Sequence, residues 1–268
     1  MIRHSALKTE QTKDKPTNQS LSKFLQLISV MAEAGAPLRL LDLSKRLKIS
    51  QATALRRLNG LIQEGYCYQE EHLGRYALTL KICGVADMLR SRVTIRSLAG
   101  EMISGLSTKL SVGASLSVQH NMECIYLDCV YEPGRMDFSL QRIGKQTPMH
   151  TTSSGKLFLT EFSKDELDSL IKEKGLAKLT DNTITTRELL DREIADVKEK
   201  GYATDNEECE LGLRCIAYPV RDSFGKIVAA TSCFSSVEKM TDDFISDQVK
   251  PELCRVAEEL SKRMGFTA

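Results

Sequence analysis

Five side chains that bond base edges and phosphates cluster in the first third of this chain. Gln51, Thr53, Arg56 and Arg57 lie within seven residues of one another, and Arg75 follows on a short polar hairpin. Glutamine pairs with adenine, and arginine with guanine or with the backbone, so the set has the chemistry of duplex DNA recognition. That chemistry needs a helix whose first turn meets a groove, and the flanking residues predict one.

Ser50 is suited to cap such a helix, its hydroxyl bonding a free first-turn N–H, and it joins the predicted DNA-contacting set. Ala54, Leu58, Leu61 and Ile62 form an apolar face at i, i+4, i+7 and i+8, which leaves Gln51, Thr53, Arg56 and Arg57 on the predicted exposed side. Gly65 ends the helix. A shorter helix precedes it, with Leu40, Leu43 and Leu47 on one face and Asp42 in its first turn, where a negative charge favours the helix dipole. Lys48-Ile49-Ser50 is the turn between them. Downstream, Tyr66–Gln69 and Arg75–Leu78 read as strands joined by the tip Glu70-Glu71-His72-Leu73-Gly74. This order is a winged helix-turn-helix, with Arg75 placed to reach a phosphate or the minor groove. A further helix, Leu21 to Ala34, is expected to bury Leu21, Phe24, Leu25, Ile28 and Met31 before Gly35 and Pro37 close it.

Charge supports a division of labour. Residues 1–80 carry 12 Lys/Arg and 7 Asp/Glu, net +5, whereas residues 81–268 carry 25 and 29, net −4. A basic head on a mildly acidic body suits a head that meets phosphates and a body that does not. The overall charge of +1 argues against a polyelectrolyte coat. No apolar run reaches a membrane-spanning length, and the polar N-terminus lacks the apolar stretch of a secretory signal, so a cytoplasmic location is expected. The 8 cysteines are scattered without a CxxC pair, which points to reduced thiols in the core. No metal or cofactor motif is present.

The expected organisation is a flexible tail over 1–19, the winged helix-turn-helix over 20–80, a linker helix over 81–93 and a body over 94–268. In the body a helix at Thr94–Leu110 precedes strands at Val112–Gln119, Glu123–Tyr131 and Met136–Gln141. Helices follow at Ser153–Glu161, Lys164–Lys174 and Thr186–Lys200. Strands return at Gly201–Thr204, Cys215–Asp222 and Lys226–Phe234, and a last amphipathic helix spans Asp242–Met264. Hairpin-joined strands mixed with helices predict an α+β domain around one antiparallel sheet.

From about Leu21 to the C-terminus the chain resembles the IclR family of bacterial transcription regulators. The head carries the segment ISQATALRRLNGLIQEGY. The body carries Pro148-Met149-His150-Thr151-Thr152-Ser153-Ser154-Gly155-Lys156, and then Gly201-Tyr202-Ala203-Thr204-Asp205-Asn206-Glu207-Glu208 continuing to Gly212-Leu213-Arg214-Cys215-Ile216-Ala217-Tyr218-Pro219-Val220. The resemblance implies a winged helix-turn-helix head, a linker helix and a GAF-like effector-binding domain. It also implies homodimers, often dimers of dimers, on palindromic operators in double-stranded DNA, most often as repressors, with a small organic acid as effector. By motif match the effector positions are Met136, Ser139, Ser153, Ser154, Asp205, Cys215 and Ser232. The chemistry agrees: hydroxyls and N–H groups at a helix start suit a carboxylate, Asp205 can accept from a ligand hydroxyl, and Cys215 and Met136 supply polarizable walls. Four positions depart from the family pattern. Two hydroxyls at Ser153 and Ser154 make the pocket more polar than usual, Phe234 narrows it, Arg57 replaces an aliphatic residue, and Leu40 replaces a Ser/Thr helix cap.

Two other functions compete. Ser153-Ser154-Gly155-Lys156 fits the S-x-x-K nucleophile pattern, but its companions S-D-N and K-T-G are missing, and no glycine opens a phosphate loop at Gly155-Lys156, so an enzyme is not expected. The alternative function is a redox-responsive regulator sensing through Cys215 or through Cys124 and Cys129, which requires a thiol that is exposed and easily ionised.

Overall fold

The computed structural model describes residues 19–90, 94–131 and 143–267. The chain divides into two compact units, Met1–Arg92 and Val93–Ala268. In the first, α1 (Gln19–Ala34), α2 (Leu40–Arg46) and α3 (Gln51–Gln63) precede the strands β1 (Cys67–Gln69) and β2 (Tyr76–Leu78) and the helix α4 (Lys81–Arg90). Leu27, Met31, Leu43, Leu47, Leu58, Leu61, Cys67 and Tyr76 form its core. The inward face of α1 is corrected: Leu27 is fully buried, whereas Leu21 and Leu25 are 58% and 57% exposed. Phe24, Leu27, Ile28 and Met31 make an i, i+3, i+4, i+7 stripe, and Leu21 and Leu25 fall to its side. No side chain caps α2, whose N-cap residue is Arg39; Leu40, expected at the cap position, is instead the first residue of the helix. The hairpin pairs Cys67 with Leu78 and Gln69 with Tyr76, and Leu38 adds an antiparallel bridge to Tyr76. The start of α4 is fastened to the end of α3. Lys81 Nζ donates to the Glu64 carbonyl at 2.6 Å and stands 4.7 Å from the Tyr66 ring centroid, and Thr79 Oγ1 donates to the Gly65 carbonyl at 2.6 Å.

The second unit begins with α5 (Ile95–Leu110), held by a reciprocal capping box between Thr94 and Ser97. The strands β3 (Gly113–His120), β4 (Glu123–Val130), β5 (Gln146–Pro148), β6 (Ala203–Asn206), β7 (Leu213–Arg221) and β8 (Ile227–Ser236) form one sheet in the order β5-β4-β3-β8-β7-β6. Every pairing is antiparallel. Strand alternation splits the side chains between two faces. Val112, Ala114, Leu116, Ile216, Val220, Ala229 and Cys233 face α5 and the C-terminal helix α10 (Lys250–Arg263). Ala203, Ala217 and Ala230 face α6 (Ser153–Leu159), α7 (Lys164–Lys174) and α8 (Arg187–Lys200).

The strand predicted at Met136–Gln141 lies outside the described residues. Elsewhere the short edge strand β5 was not foreseen, and two expectations need adjusting. The strand β6 runs on to Asn206, so Asp205 belongs to the sheet. The last helix is interrupted: α9 (Asp242–Phe244) is α-helical, Ile245–Val249 is a π-type turn, and α10 follows with Pro251 in its first turn. Proline has no N–H for the α ladder, which accounts for the wider turn just before it. Among the described residues no helix is long and apolar enough to cross a membrane.

Candidate nucleic-acid interface and ligand pocket

The start of α3 is built as its sequence predicts. Ser50 takes the N-cap position and accepts from the Thr53 N–H at 3.2 Å, and the two hydroxyls lie 2.9 Å apart. Gln51 and Arg56 are exposed, whereas Thr53 is half-buried. Arg57 is a correction. It is only 7% exposed and shares the inner face with Ala54, Leu58 and Leu61. At 100° per residue, position 57 falls one turn from both Ala54 and Leu61, and an arginine's aliphatic stem packs there like the aliphatic residue it replaces. The outward stripe instead runs through Ala52, Leu55, Arg56, Asn59 and Gln63, all exposed. Leu55 and Asn59 were missed, although the same periodicity announces them; an amide suits adenine and an aliphatic side chain the thymine methyl. Arg75 is half-buried beside Gly74, and its carbonyl accepts from the Glu70 N–H at 2.8 Å, which closes the wing.

In the second unit the predicted effector residues come from four separate segments. Ser153 and Ser154 open α6, Asp205 lies on β6, Cys215 on β7 and Ser232 on β8, and all five are buried. Asp205 is the register partner of Cys215, and Ser232 of Ala217, on the sheet face that α6 covers. Thr152, not Ser153, caps α6, accepting from the Gly155 N–H at 3.0 Å. Ser153 and Ser154 follow it in the first turn, both buried. A Cβ on Gly155 would overlap the Met149 backbone, so glycine lets the first turn of α6 close on the preceding 3₁₀ turn, Met149–Thr151. Ser232 Oγ lies 2.7 Å from Ser115 Oγ on β3, a buried partner that strand alternation alone would nominate. Phe234, Cys129 and Cys215 form an apolar corner with Tyr131 and Leu213, and the Phe234 and Tyr131 rings meet edge to face at 5.7 Å. The Phe234 ring covers Gly113, where any Cβ would overlap it. Met136 and Ser139 lie outside the described residues.

Asp205 builds the turn after β6. Its Oδ1 accepts from the N–H groups of Glu208 and Cys209 at 2.9 and 3.3 Å, and the Cys215 thiol also bonds it. Burial raises its carboxyl above the ordinary aspartate value, against the pull of those donors and of Lys156. Lys156 was read only as the end of a chance motif, yet it is among the most deeply buried side chains. Its Nζ donates to Glu193 Oε1 at 2.8 Å, to Glu208 Oε1 at 2.7 Å and to the Thr204 carbonyl at 2.9 Å. One ammonium thus ties α6 to α8, β6 and the turn after β6. Thr180 and Thr183 brace the same turn, donating to the Glu207 and Glu208 carbonyls at 2.6 and 2.7 Å.

The three thiols considered for sensing, Cys124, Cys129 and Cys215, are poorly suited to it. Burial pushes Cys124 up to about 11, and the thiolate is the reactive form. Cys129 and Cys215 are buried as well. Among the described residues no group of three or more His, Cys, Asp or Glu side chains could hold a metal ion.

Comparison with known proteins bears on both sites. The model of the bacterial transcriptional regulator IclR C-terminal domain matches residues 88–262, and that of the IclR helix-turn-helix domain matches residues 20–71. The HTH-type transcriptional regulator XynR of Escherichia coli K12 is 28% identical over 253 residues, covering 94% of this chain and 100% of XynR. The Thermotoga maritima IclR crystal structure aligns at a TM-score of 0.60 and 25% identity, over 92% of this chain and 99% of that one. A double mutant of the PobR inducer-binding domain from Acinetobacter, crystallised with 3-hydroxybenzoic acid, aligns at a TM-score of 0.59 and 28% identity, over 63% of this chain and 98% of that one.

Proposed function

The chain belongs to the IclR family of bacterial transcriptional regulators, and from that premise we propose that it is a repressor which holds a palindromic operator until a small organic acid enters its C-terminal unit. Occupying a promoter excludes polymerase without any further contact surface, so repression asks least of the fold. In this reading α3 enters the major groove with Gln51 and Arg56 on base edges. Ser50 and Thr53 lie against the backbone at the helix start, and Arg75 on the wing meets a phosphate. Two heads of a homodimer, or of a dimer of dimers, read half-sites about 34 Å apart or a multiple of that.

The observation that carries the effector reading is that Asp205, Cys215 and Ser232 are buried on the one sheet face that α6 covers, and that Ser153 and Ser154, up to 79 residues away in sequence, are buried in the first turn of that helix. Met136 and Ser139 join them by motif resemblance alone. The related PobR domain was crystallised with an aromatic acid, which supports the same ligand class here. The acid acts by binding one arrangement of the dimer better than another, a difference typically worth about 1–3 kcal/mol.

The test is a thermal-shift screen of the full chain against small aliphatic and aromatic acids, with operator binding measured for each hit. A ligand at 100 times its dissociation constant adds about 2.7 kcal/mol, a readily visible shift. A chain that binds its operator but is stabilised by no acid would refute the effector half of the proposal. An acid that stabilises it and strengthens operator binding would refute the sign.

A further inference from the structure

The face of α3 that the head's core leaves open is not uniformly polar. Ala54, Leu58 and Leu61 are buried, whereas Gln51, Ala52, Leu55, Arg56, Asn59 and Gln63 are exposed. Leu55 is 37% exposed and stands one turn from both Gln51 and Asn59, with Arg56 next to it. The 13 residues of the helix include no Asp or Glu. Lys45, Arg46 and Lys48, which lead into it from α2, are exposed as well. A stripe free of negative charge and entered past three cations suits a surface that lies against phosphates.

An apolar side chain in a major groove has one apolar partner among the four bases. Thymine presents its C5 methyl there, while the edges of guanine, cytosine and adenine present acceptors and donors. Leucine laid on those edges strips water from polar groups and returns no hydrogen bond, so it discriminates by cost as well as by contact. Asn59 carries an acceptor and a donor on one planar amide. These match the N6 donor and N7 acceptor of adenine, whereas Arg56, a donor only, matches the two acceptors of guanine. Four residues of helix rise by about 6 Å, and base pairs stack about 3.4 Å apart, so Leu55 and Asn59 meet bases about two steps apart.

We propose that Leu55 and Asn59 are specificity-determining residues of this interface, Leu55 against a thymine methyl and Asn59 bidentate on an adenine. Each half-site then carries two A·T pairs no more than about two base steps apart, beside the pair read by Arg56. This rests on α3 entering the major groove as proposed above, and it adds the base content of the half-site.

The test is selection of bound duplexes from a randomised pool by the full chain, by Leu55→Ala and by Asn59→Ala. The wild type should require a thymine and an adenine at that spacing. Leu55→Ala should lose preference at the thymine alone. Asn59→Ala should lose it at the adenine alone, by about 5- to 150-fold. Base analogues repeat the test on the wild-type chain, whatever the variants do to folding. Deoxyuridine in place of that thymidine removes only the methyl and should weaken binding about fourfold. Deoxy-7-deazaadenosine removes the adenine N7 acceptor and should weaken it as well. Each variant should be indifferent to the analogue at its own base. A selected half-site without the two A·T pairs, or a uracil that costs the wild type nothing, overturns the inference and leaves DNA binding through α3 standing. A chain that selects no sequence from the pool overturns the inference together with that reading.

Discussion

Replacing Lys156 by methionine probes the second unit at its most demanding point. Methionine keeps much of the buried stem and removes only the ammonium. The loss falls unequally on the two carboxylates, because Glu193 is a quarter exposed and rehydrates whereas Glu208 is 10% exposed and does not. Removing one partner of a buried ion pair typically costs about 3–5 kcal/mol, and Glu208 is the group left unpaired here. The sign with pH follows from linkage. Burial raises Glu208 above its ordinary value of 4.5 even with Lys156 present, and more so without it. A carboxyl raised in the folded state binds more protons there than when unfolded, so stability is full below the ordinary value and is lost as pH climbs toward the raised one. The defect of Lys156→Met should therefore be small near pH 4 and large at neutral pH. The chain has no tryptophan, so urea unfolding is followed by circular dichroism and tyrosine fluorescence, with the second unit's transition fitted separately. Adding Glu208→Gln to Lys156→Met should recover part of the loss, since the two side chains share one network. A neutral-pH defect below about 1 kcal/mol, or no recovery in the double variant, would refute the claim that Lys156 offsets a buried charge.

Arg56→Ala should weaken operator binding by about 1–3 kcal/mol and relax preference at one base position, measured by binding to randomised DNA; uniform weakening would reassign it to a phosphate. Arg57→Leu should leave base preference unchanged and keep or raise the melting temperature, because position 57 faces the core; an altered base preference would restore it to the interface. Arg75→Ala should weaken all sequences alike and lower the salt slope by about 1. Phe234→Ala should cost about 3–5 kcal/mol and open the corner beside Cys215 and Tyr131, so that bulkier acids give the larger thermal shifts; an unchanged ranking of acids would remove Phe234 from the pocket wall.

The head was legible because its signals are local. A capping serine, an apolar stripe and a closing glycine all act within one turn of the residues they specify, and α3 has the predicted ends. Arg57 escaped for a physical reason: hydropathy sends a charged residue outward, while helix geometry and a long aliphatic stem take it in. The candidate effector site was legible only by resemblance to a family. Its members come from strands whose buried face depends on pairing, and a shift of one residue inverts every side chain. Lys156 was beyond local reading altogether, since its carboxylate partners lie 37 and 52 residues further on. The role first expected for Asp205 was also incomplete, because its Oδ1 is committed to the turn whose amides it holds.

The Lys156 clamp bears on how such a unit can signal. The amides, threonine hydroxyls and carboxylates around the turn after β6 bond one another. In the effector reading proposed above, an acid held against this turn has little of it left to order, and ordering is one way for binding energy to become a conformational change. What remains in that reading is a difference in affinity between two arrangements of the proposed homodimer, and a ligand that binds both equally shifts neither. Affinity and efficacy then separate. A change in the pocket that weakens binding equally in both arrangements raises the dose needed and leaves maximal operator release intact. Only a change that alters the difference between arrangements lowers that plateau. Dose–response curves of pocket variants should accordingly fall into two classes, and a graded loss of plateau in step with affinity across all of them would mean that the pocket is not preformed.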